Sequence, residues 1–100
     1  MAFYYGGKYM RMLIVGYTRH DAYAEFKDYL RNRTYLSTGK SVESKQQFIS
    51  ESNATIDWLS LKQHIRDGLQ YDEVHASSLA LKHMKPSDLE WIQSLMMKGE

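Results

Sequence analysis

Apolar residues along this chain recur every three or four positions, a spacing typical of amphipathic helices. The clearest segment is RHDAYAEFKDYLRNR, in which Ala22, Phe26 and Leu30 follow one another at intervals of four. Side chains four apart lie on the same face of a helix, so this face is predicted to be buried. Thr18 comes just before the segment and is a residue type that caps helix N-termini. The pattern predicts a helix over this segment.

The segment before this helix, AFYYGGKYMRMLIV, has β-prone residues on both sides of Gly6 and Gly7. Paired glycines tolerate the positive φ angles of tight turns, so the segment predicts a β-hairpin of about residues 2–5 with 8–15. The alternative is a single strand from Arg11 to Tyr17 that leads directly into the helix.

Two further helices are predicted between residues 41 and 69. The first is a short polar helix from Val42 to about Ser50, with Ser41 as its N-cap. The second covers NATIDWLSLKQHIRDGL and ends at Gly68. Its apolar stripe consists of Trp58, Leu61 and Ile65.

The last third of the chain predicts two more helices. YDEVHASSLALKHM is interpreted as a helix capped by Asp72, and KPSDLEWIQSLMMKG as a helix with a capping box of Ser87 and Glu90. The inward residues of the first are Val74, Leu81 and Met84. Those of the second are Leu89, Ile92, Leu95 and Met96.

These elements predict one α+β domain over residues 1–100. It is expected to be mainly helical, with a short N-terminal β-hairpin or strand followed by four to five short packed helices. A doubly wound sheet needs several buried strands, whereas the longest strictly apolar run is only Met12 to Val15. That run is also far shorter than a membrane span, so no membrane contact is expected, and the lack of Cys favours a cytoplasmic protein. The absence of Cys excludes disulfides and thiolate metal sites.

Charge is unevenly distributed along the chain. Residues 1–40 carry seven basic and three acidic side chains, whereas residues 41–100 carry six basic and nine acidic ones. Seven of the eight Tyr lie in the first 35 residues. Tyr interleaved with Arg and Lys is typical of surfaces that neutralise phosphates or acidic partners. The expected anionic-partner surface consists of Arg19, Tyr23, Lys27, Arg31, Arg33 and Lys40.

Two motifs resemble parts of nucleotide-binding sites. Gly39-Lys40-Ser41 matches the end of a phosphate-binding loop, but Thr34 stands where the first glycine of that loop belongs. The motif is therefore interpreted as a turn and helix cap that would attract an anion only weakly. Val15-Gly16 before the first helix resembles a strand–turn–helix opening, which would bring Arg19 and His20 to a helix N-terminus.

The C-terminal helix carries an apolar flank that is wide for a small domain. Trp91, Leu95 and Met97 are expected to contact a protein partner or a second copy of this chain. The four His show no metal-ligand spacing, and no metal or cofactor is expected.

The sequence therefore predicts a small non-enzymatic binding or regulatory domain that acts through protein–protein contacts, with a basic tyrosine-rich face for an anionic partner. Two alternatives remain. One is a nucleic-acid-binding regulator. The other is a small enzyme or anion-binding protein that uses Arg19, His20 and Lys40, which requires those three side chains to converge.

Overall fold

A computed structural model describes residues 10–33, 38–52, 54–63 and 71–96 and shows a five-stranded mixed sheet with three helices. The strands are β1 (Met10–Gly16), β2 (Gly39–Val42), β3 (Gln47–Ser50), β4 (Ala54–Ser60) and β5 (Glu73–Ala76). The helices are α1 (Arg19–Arg31), α2 (Ser78–His83) and α3 (Pro86–Met96), and a single 3₁₀ turn covers Glu43–Lys45. The expectation of a mainly helical fold with four to five helices is wrong.

The sheet has the strand order β2-β3-β4-β1-β5. Strands β4, β1 and β5 are parallel, whereas β2, β3 and β4 are antiparallel neighbours. The carboxyl ends of the three parallel strands therefore meet at one edge of the sheet, and α1 begins there because it follows β1 directly.

The alternative of a single strand from Arg11 to Tyr17 corresponds to β1, shifted by one residue at each end. Both faces of β1 are covered, and four consecutive apolar residues, Met12 to Val15, are at most 2% exposed. A continuous apolar run is typical of a parallel strand that is covered on both faces. The first arm of the predicted hairpin, about residues 2–5, lies outside the described residues.

The predicted first helix is confirmed as α1. The Thr18 side chain accepts a hydrogen bond from the Asp21 amide at 3.0 Å, and the helix ends at Arg31. Ala22 and Phe26 are buried as expected, and Phe26 stacks on Trp58 with a centroid distance of 4.3 Å. α1 therefore packs on the sheet face that carries Trp58.

The predicted helix from Val42 to Ser50 is wrong, because this segment forms the end of β2, the 3₁₀ turn and β3. Gln46 adopts a left-handed conformation with φ of 51°, which interrupts any helix. Phe48 and Ser50 alternate with more exposed residues in β3. A polar nine-residue helix would bury little apolar surface, whereas the strand places Phe48 in the core.

The predicted helix over residues 53–69 is also wrong where the structure describes it. Residues 54–60 form β4, in which every residue is buried. Trp58 and Leu61, expected on one helical face, pack into the two different cores on opposite sides of the sheet. Asp57 interrupts the apolar pattern of this strand, and the interruption made a buried strand resemble an amphipathic helix. Ile65 lies outside the described residues.

The segment 71–84 contains β5 and then α2 rather than one helix. The N-cap of α2 is Ser77 and not Asp72, since the Ser77 hydroxyl accepts from the Ala80 amide at 3.0 Å. β5 pairs in parallel with β1, and this pairing accounts for the departure from helix. Leu81, expected inside, is 61% exposed.

The last predicted helix is confirmed as α3, but its buried face is different. Asp88, rather than the expected box of Ser87 and Glu90, fixes its start, because Asp88 Oδ2 accepts from the Lys85 amide at 2.9 Å. Leu89 is 50% exposed. The buried residues of α3 are Asp88, Trp91 and Leu95.

Two apolar cores therefore lie on opposite faces of the sheet. The core under α1 contains Met12, Ile14, Ala22, Phe26, Tyr29, Phe48, Ala54, Ile56 and Trp58. The core on the side of α2 and α3 contains Leu13, Val15, Leu59, Leu61, Tyr71, Ala80, Trp91 and Leu95. In the part of the chain that the structure describes, no helix has the length and apolar character needed to cross a membrane.

Candidate anion-binding flank of the first helix

The turn that joins β1 to α1 is held by one carboxylate. Asp21 Oδ2 accepts hydrogen bonds from the Tyr17 amide at 2.8 Å and from the Ser77 hydroxyl at 2.6 Å. Because Ser77 also caps α2, Asp21 links the starts of the two helices. Its negative charge occupies the N-terminal end of α1, where a bound anion would otherwise be favoured. An anionic ligand would therefore approach α1 from the side.

Glycine allows this turn to be tight. An ideal Cβ added to Gly16 would lie 2.2 Å from the backbone nitrogen of Ala22, far inside van der Waals contact. The strand–turn–helix junction expected from Val15-Gly16 is thus present. Its helix end, however, is occupied by the protein's own Asp21.

α1 separates its charges onto two flanks. The acidic flank faces β5 and consists of Asp21, Glu25 and Asp28. Glu25 Oε2 lies 2.8 Å from His75 Nε2, and Asp28 pairs with Arg31 one turn later. Together with the Asp21–Ser77 bond, these contacts give every acidic side chain of α1 a partner within the protein.

The other flank of α1 carries Arg19, His20, Tyr23 and Lys27, which we call the basic flank. Arg19 Nη2 donates to the backbone carbonyl of Glu43 at 3.3 Å, and Lys27 Nζ lies 5.9 Å from the centroid of the Tyr23 ring. Among the residues that the structure describes, no carboxylate forms an ion pair with Arg19 or Lys27. The two cations of this flank are therefore available to an external anion.

A cavity of about 400 Å³ opens between the basic flank and the 3₁₀ turn. We call it the flank cavity, and its described lining residues are Arg19, His20, Tyr23, Glu43 and Trp58. The Tyr23 ring meets Trp58 edge-on with a centroid distance of 5.4 Å, and Trp58 is only 2% exposed. Aromatic walls therefore form the interior of the cavity.

The flank cavity combines the two kinds of group that small-ligand sites use. Its volume falls within the range of about 300–1,000 Å³ that is common for such sites, and its apolar interior has polar groups at the rim. Arg19 supplies a fixed positive charge with planar donors, which suits carboxylates and phosphates. Glu43 is the one carboxylate among the described lining residues, and it would repel anions that reach the 3₁₀ turn.

Two residues expected on the anionic-partner surface lie apart from the flank cavity. Arg31 is already paired with Asp28, and the Arg33 guanidinium lies 3.8 Å from the centroid of the Tyr29 ring. Tyr29 also contacts the His75 ring, which belongs to β5 on the other side of α1. Arg33 is therefore near the acidic flank.

Lys40 is not brought together with Arg19 and His20. It lies on the edge strand β2 and pairs with Ile49, whereas its neighbour Ser41 pairs with Phe48 in the core under α1. Neighbouring residues of a strand point to opposite faces, so Lys40 points away from α1. Ser41 is within this strand, so the expected helix cap that was to attract an anion is not formed.

The expected protein-contact residues of the C-terminal helix are taken up by the core. Trp91 is 9% and Leu95 is 3% exposed, and both belong to the core beside α2 and α3. Met97 lies outside the described residues. The exposed apolar side chains of α2 and α3 are instead Leu79, Leu81, Leu89 and Met96.

Sequence reasoning missed Trp58 and Glu43 as members of a site. Both were assigned to helices that do not exist, so their positions relative to α1 could not be inferred. The signal that would have found Trp58 is the β-prone content of ATIDWLS, which contains three β-branched or aromatic residues. Nothing comparable marks Glu43, whose position depends on the left-handed turn at Gln46.

Comparisons with known proteins do not assign a role to this site. A scan against protein-family models and searches of curated proteins and of solved structures found no match. Within the described ranges, no group of three or more His, Asp or Glu side chains is arranged to hold a metal ion.

Proposed function

We propose that this protein is a small binding domain that takes an anionic partner along the basic flank of α1. The observation that carries the proposal is the separation of charge on this helix. Every acidic side chain of α1 has a partner within the protein, whereas Arg19 and Lys27 have no carboxylate partner among the described residues. Unpaired cations on one side of an ordered helix attract anions over roughly 8–10 Å at physiological ionic strength.

An acidic segment of a protein partner is the first candidate. Arg19 and Lys27 are eight residues apart, or about 12 Å along the helix axis at 1.5 Å per residue. An extended acidic segment rises about 3.3 Å per residue, so carboxylates about four residues apart would match this spacing. The proposed role is therefore docking of a partner chain, with Tyr23 contributing apolar contact between the two cations.

Nucleic acid is a second candidate, because an aromatic ring lies between the cations and the flank cavity is large enough for a small planar group. Bases stack on Tyr side chains while Arg and Lys neutralise the adjacent phosphates. This candidate differs from the first in needing the Tyr23 ring itself, and not only the charges beside it.

The test is fluorescence anisotropy with two labelled probes, a polyglutamate peptide and a single-stranded oligothymidylate. Lys27→Gln and Arg19→Gln should each weaken binding of the preferred probe by about tenfold, and each should lower the slope of log affinity against log salt by about 1 for the oligonucleotide. Lys82→Gln, which removes an exposed charge on α2, is the matched control and should change little.

A Tyr23→Leu variant distinguishes the two candidates. It keeps apolar contact and should leave polyglutamate binding within about twofold, whereas loss of stacking should weaken oligothymidylate binding by about tenfold or more. If neither probe binds at low salt, or if Lys82→Gln weakens binding as much as Lys27→Gln does, the proposed function is wrong.

A further inference from the structure

A second cavity, of about 280 Å³, opens where β1 and β4 end, on the sheet side that carries α2 and α3. We call it the edge cavity. Its described lining residues are Tyr17, Leu61, Lys62, His83, Lys85, Ser87 and Asp88. None of these residues belongs to the basic flank of α1, so the edge cavity is separate from the site described above.

Three chain segments meet at the edge cavity. Tyr17 comes from the turn after β1, Lys62 from the turn after β4, and His83 and Lys85 from the junction of α2 and α3. The Tyr17 and His83 rings stack with a centroid distance of 4.1 Å and an interplanar angle of 17°. This stack joins the first and third segments and holds the imidazole at the cavity wall.

The side chains around the edge cavity are mainly donors and cations. Lys62 and Lys85 are exposed, and neither forms an ion pair within the described ranges. The His83 ring and the Ser87 hydroxyl add further hydrogen-bonding groups. The wall of the cavity therefore offers two lysine charges and two further hydrogen-bonding groups from separate parts of the chain.

Asp88 is the one carboxylate in the described lining, and it is engaged within the protein. It is 7% exposed, and its Oδ2 accepts from the Lys85 amide at the start of α3. This bond also means that the carboxylate already occupies the first turn of α3. Anion affinity in the edge cavity would therefore come from the lysine side chains, not from the end of the helix.

The position of the edge cavity agrees with the rule for ligand sites in open sheets with parallel strands. Ligands bind at the carboxyl ends of the strands, where successive connections leave the sheet on opposite faces. Here α1 follows β1 on one face, whereas α2 follows β5 on the other, and these two strands are neighbours. The edge cavity is connected to this point through Tyr17, which directly follows β1.

We propose that the edge cavity binds a small phosphate monoester, with the phosphate held by Lys62, Lys85 and Ser87. Lysine acts as a point charge that suits a compact anion with several oxygens, and a hydroxyl group donates to one of those oxygens. The cavity is larger than a phosphate group, and Leu61 with the Tyr17 ring provides an apolar wall for the organic part of the ligand. His83 lines the same cavity and adds an imidazole to the groups available to the ester.

The test uses phenyl phosphate and inorganic phosphate as probes, with neutral benzyl alcohol as the uncharged analogue. Binding is followed by the ring proton NMR signals of His83 and Tyr17 and by titration calorimetry. Both phosphates should shift the two ring signals saturably, and benzyl alcohol should not. Tighter binding of phenyl phosphate would support a monoester site, and equal binding of the two phosphates would overturn the proposed role of the apolar wall.

Matched variants locate the effect. Lys62→Gln and Lys85→Gln should each weaken phosphate binding by about tenfold, as expected for loss of a charged hydrogen-bond donor. Lys82→Gln on α2 should leave it unchanged, because Lys82 is not among the described lining residues of the edge cavity. If millimolar phosphate produces no saturable shift at His83 or Tyr17, or if Lys82→Gln weakens binding as much as Lys62→Gln, the proposal is wrong. Because the His83 and Tyr17 signals belong to the edge cavity, and neither residue lies on the basic flank, failure of this proposal and failure of the proposed function are distinguishable.

Discussion

Asp21 is the residue on which the junction of β1, α1 and α2 depends most. Its carboxylate accepts from the Tyr17 amide and the Ser77 hydroxyl, and both donors would be left without this partner in Asp21→Ala. Unsatisfied groups in a partly buried junction cost roughly 1–3 kcal/mol each. We therefore expect Asp21→Ala to lower the free energy of unfolding by at least about 2 kcal/mol, the lower bound for two such groups, measured by urea denaturation.

Asp28→Ala is the control for this prediction. It removes a carboxylate from the same helix, but the Asp28–Arg31 pair is exposed and should contribute at most about 1 kcal/mol. Equal losses in the two variants would show that Asp21 has no special role at the junction.

Asp57 shows why single residues misled the sequence prediction. This carboxylate is buried in the middle of β4, where it accepts hydrogen bonds from Gln47 Nε2 and the Tyr71 hydroxyl. Arg11 Nε lies 3.5 Å from Asp57 Oδ2. Its partners are 10, 14 and 46 residues away in the chain, so the residues next to Asp57 in the sequence do not show that the carboxylate has partners. A buried charge with distant partners is therefore interpreted from sequence as an exposed residue.

At the scale of elements, the close approach of β1 and α1 depends on Gly16. A methyl group at this position would meet the Ala22 backbone, so Gly16→Ala should displace the start of α1 from the sheet. Overpacking of this kind typically costs about 1–3 kcal/mol. The atoms that the added methyl group would meet belong to the Ala22 backbone, which cannot rotate away as a side chain can. We expect Gly16→Ala to lower the urea midpoint and to change the circular dichroism of the aromatic cluster around Trp58. An unchanged midpoint would show that the junction is looser than the structure indicates.

The accuracy of the sequence prediction also differed between elements for a physical reason. α1 and α3 were predicted because each keeps one polar face, so their spacing is visible locally. β4 and β5 were missed because both are stabilised by pairing with β1. For β4 this partner is more than 40 residues away in the chain, so the pairing is not visible in the local sequence. Arg19, His20 and Tyr23 were expected on or beside this helix as members of two separate candidate sites, whereas the Trp58 wall was missed together with β4.

At the scale of the whole molecule, one sheet separates two cores, and each contains one tryptophan. Trp58 belongs to the core under α1 and Trp91 to the core beside α2 and α3. Because β1 contributes buried residues to both cores, the two should unfold together. Single-tryptophan variants, Trp58→Phe and Trp91→Phe, should each give a urea transition by fluorescence that coincides with the one by far-ultraviolet circular dichroism. Separate transitions in either variant would show that the cores are independent.

The basic flank of α1 as a binding surface is the central claim, and amide NMR during titration with an anionic probe tests it most directly. Polyglutamate, or oligothymidylate if that is the tighter probe, should produce its largest saturable shifts at the amides of Arg19, His20, Tyr23 and Lys27 and at the Trp58 indole. These shifts should weaken as salt is raised, because the attraction between exposed charges is screened. Saturable shifts confined to α2 and α3, or no saturable shift with either probe at low salt, would contradict the account.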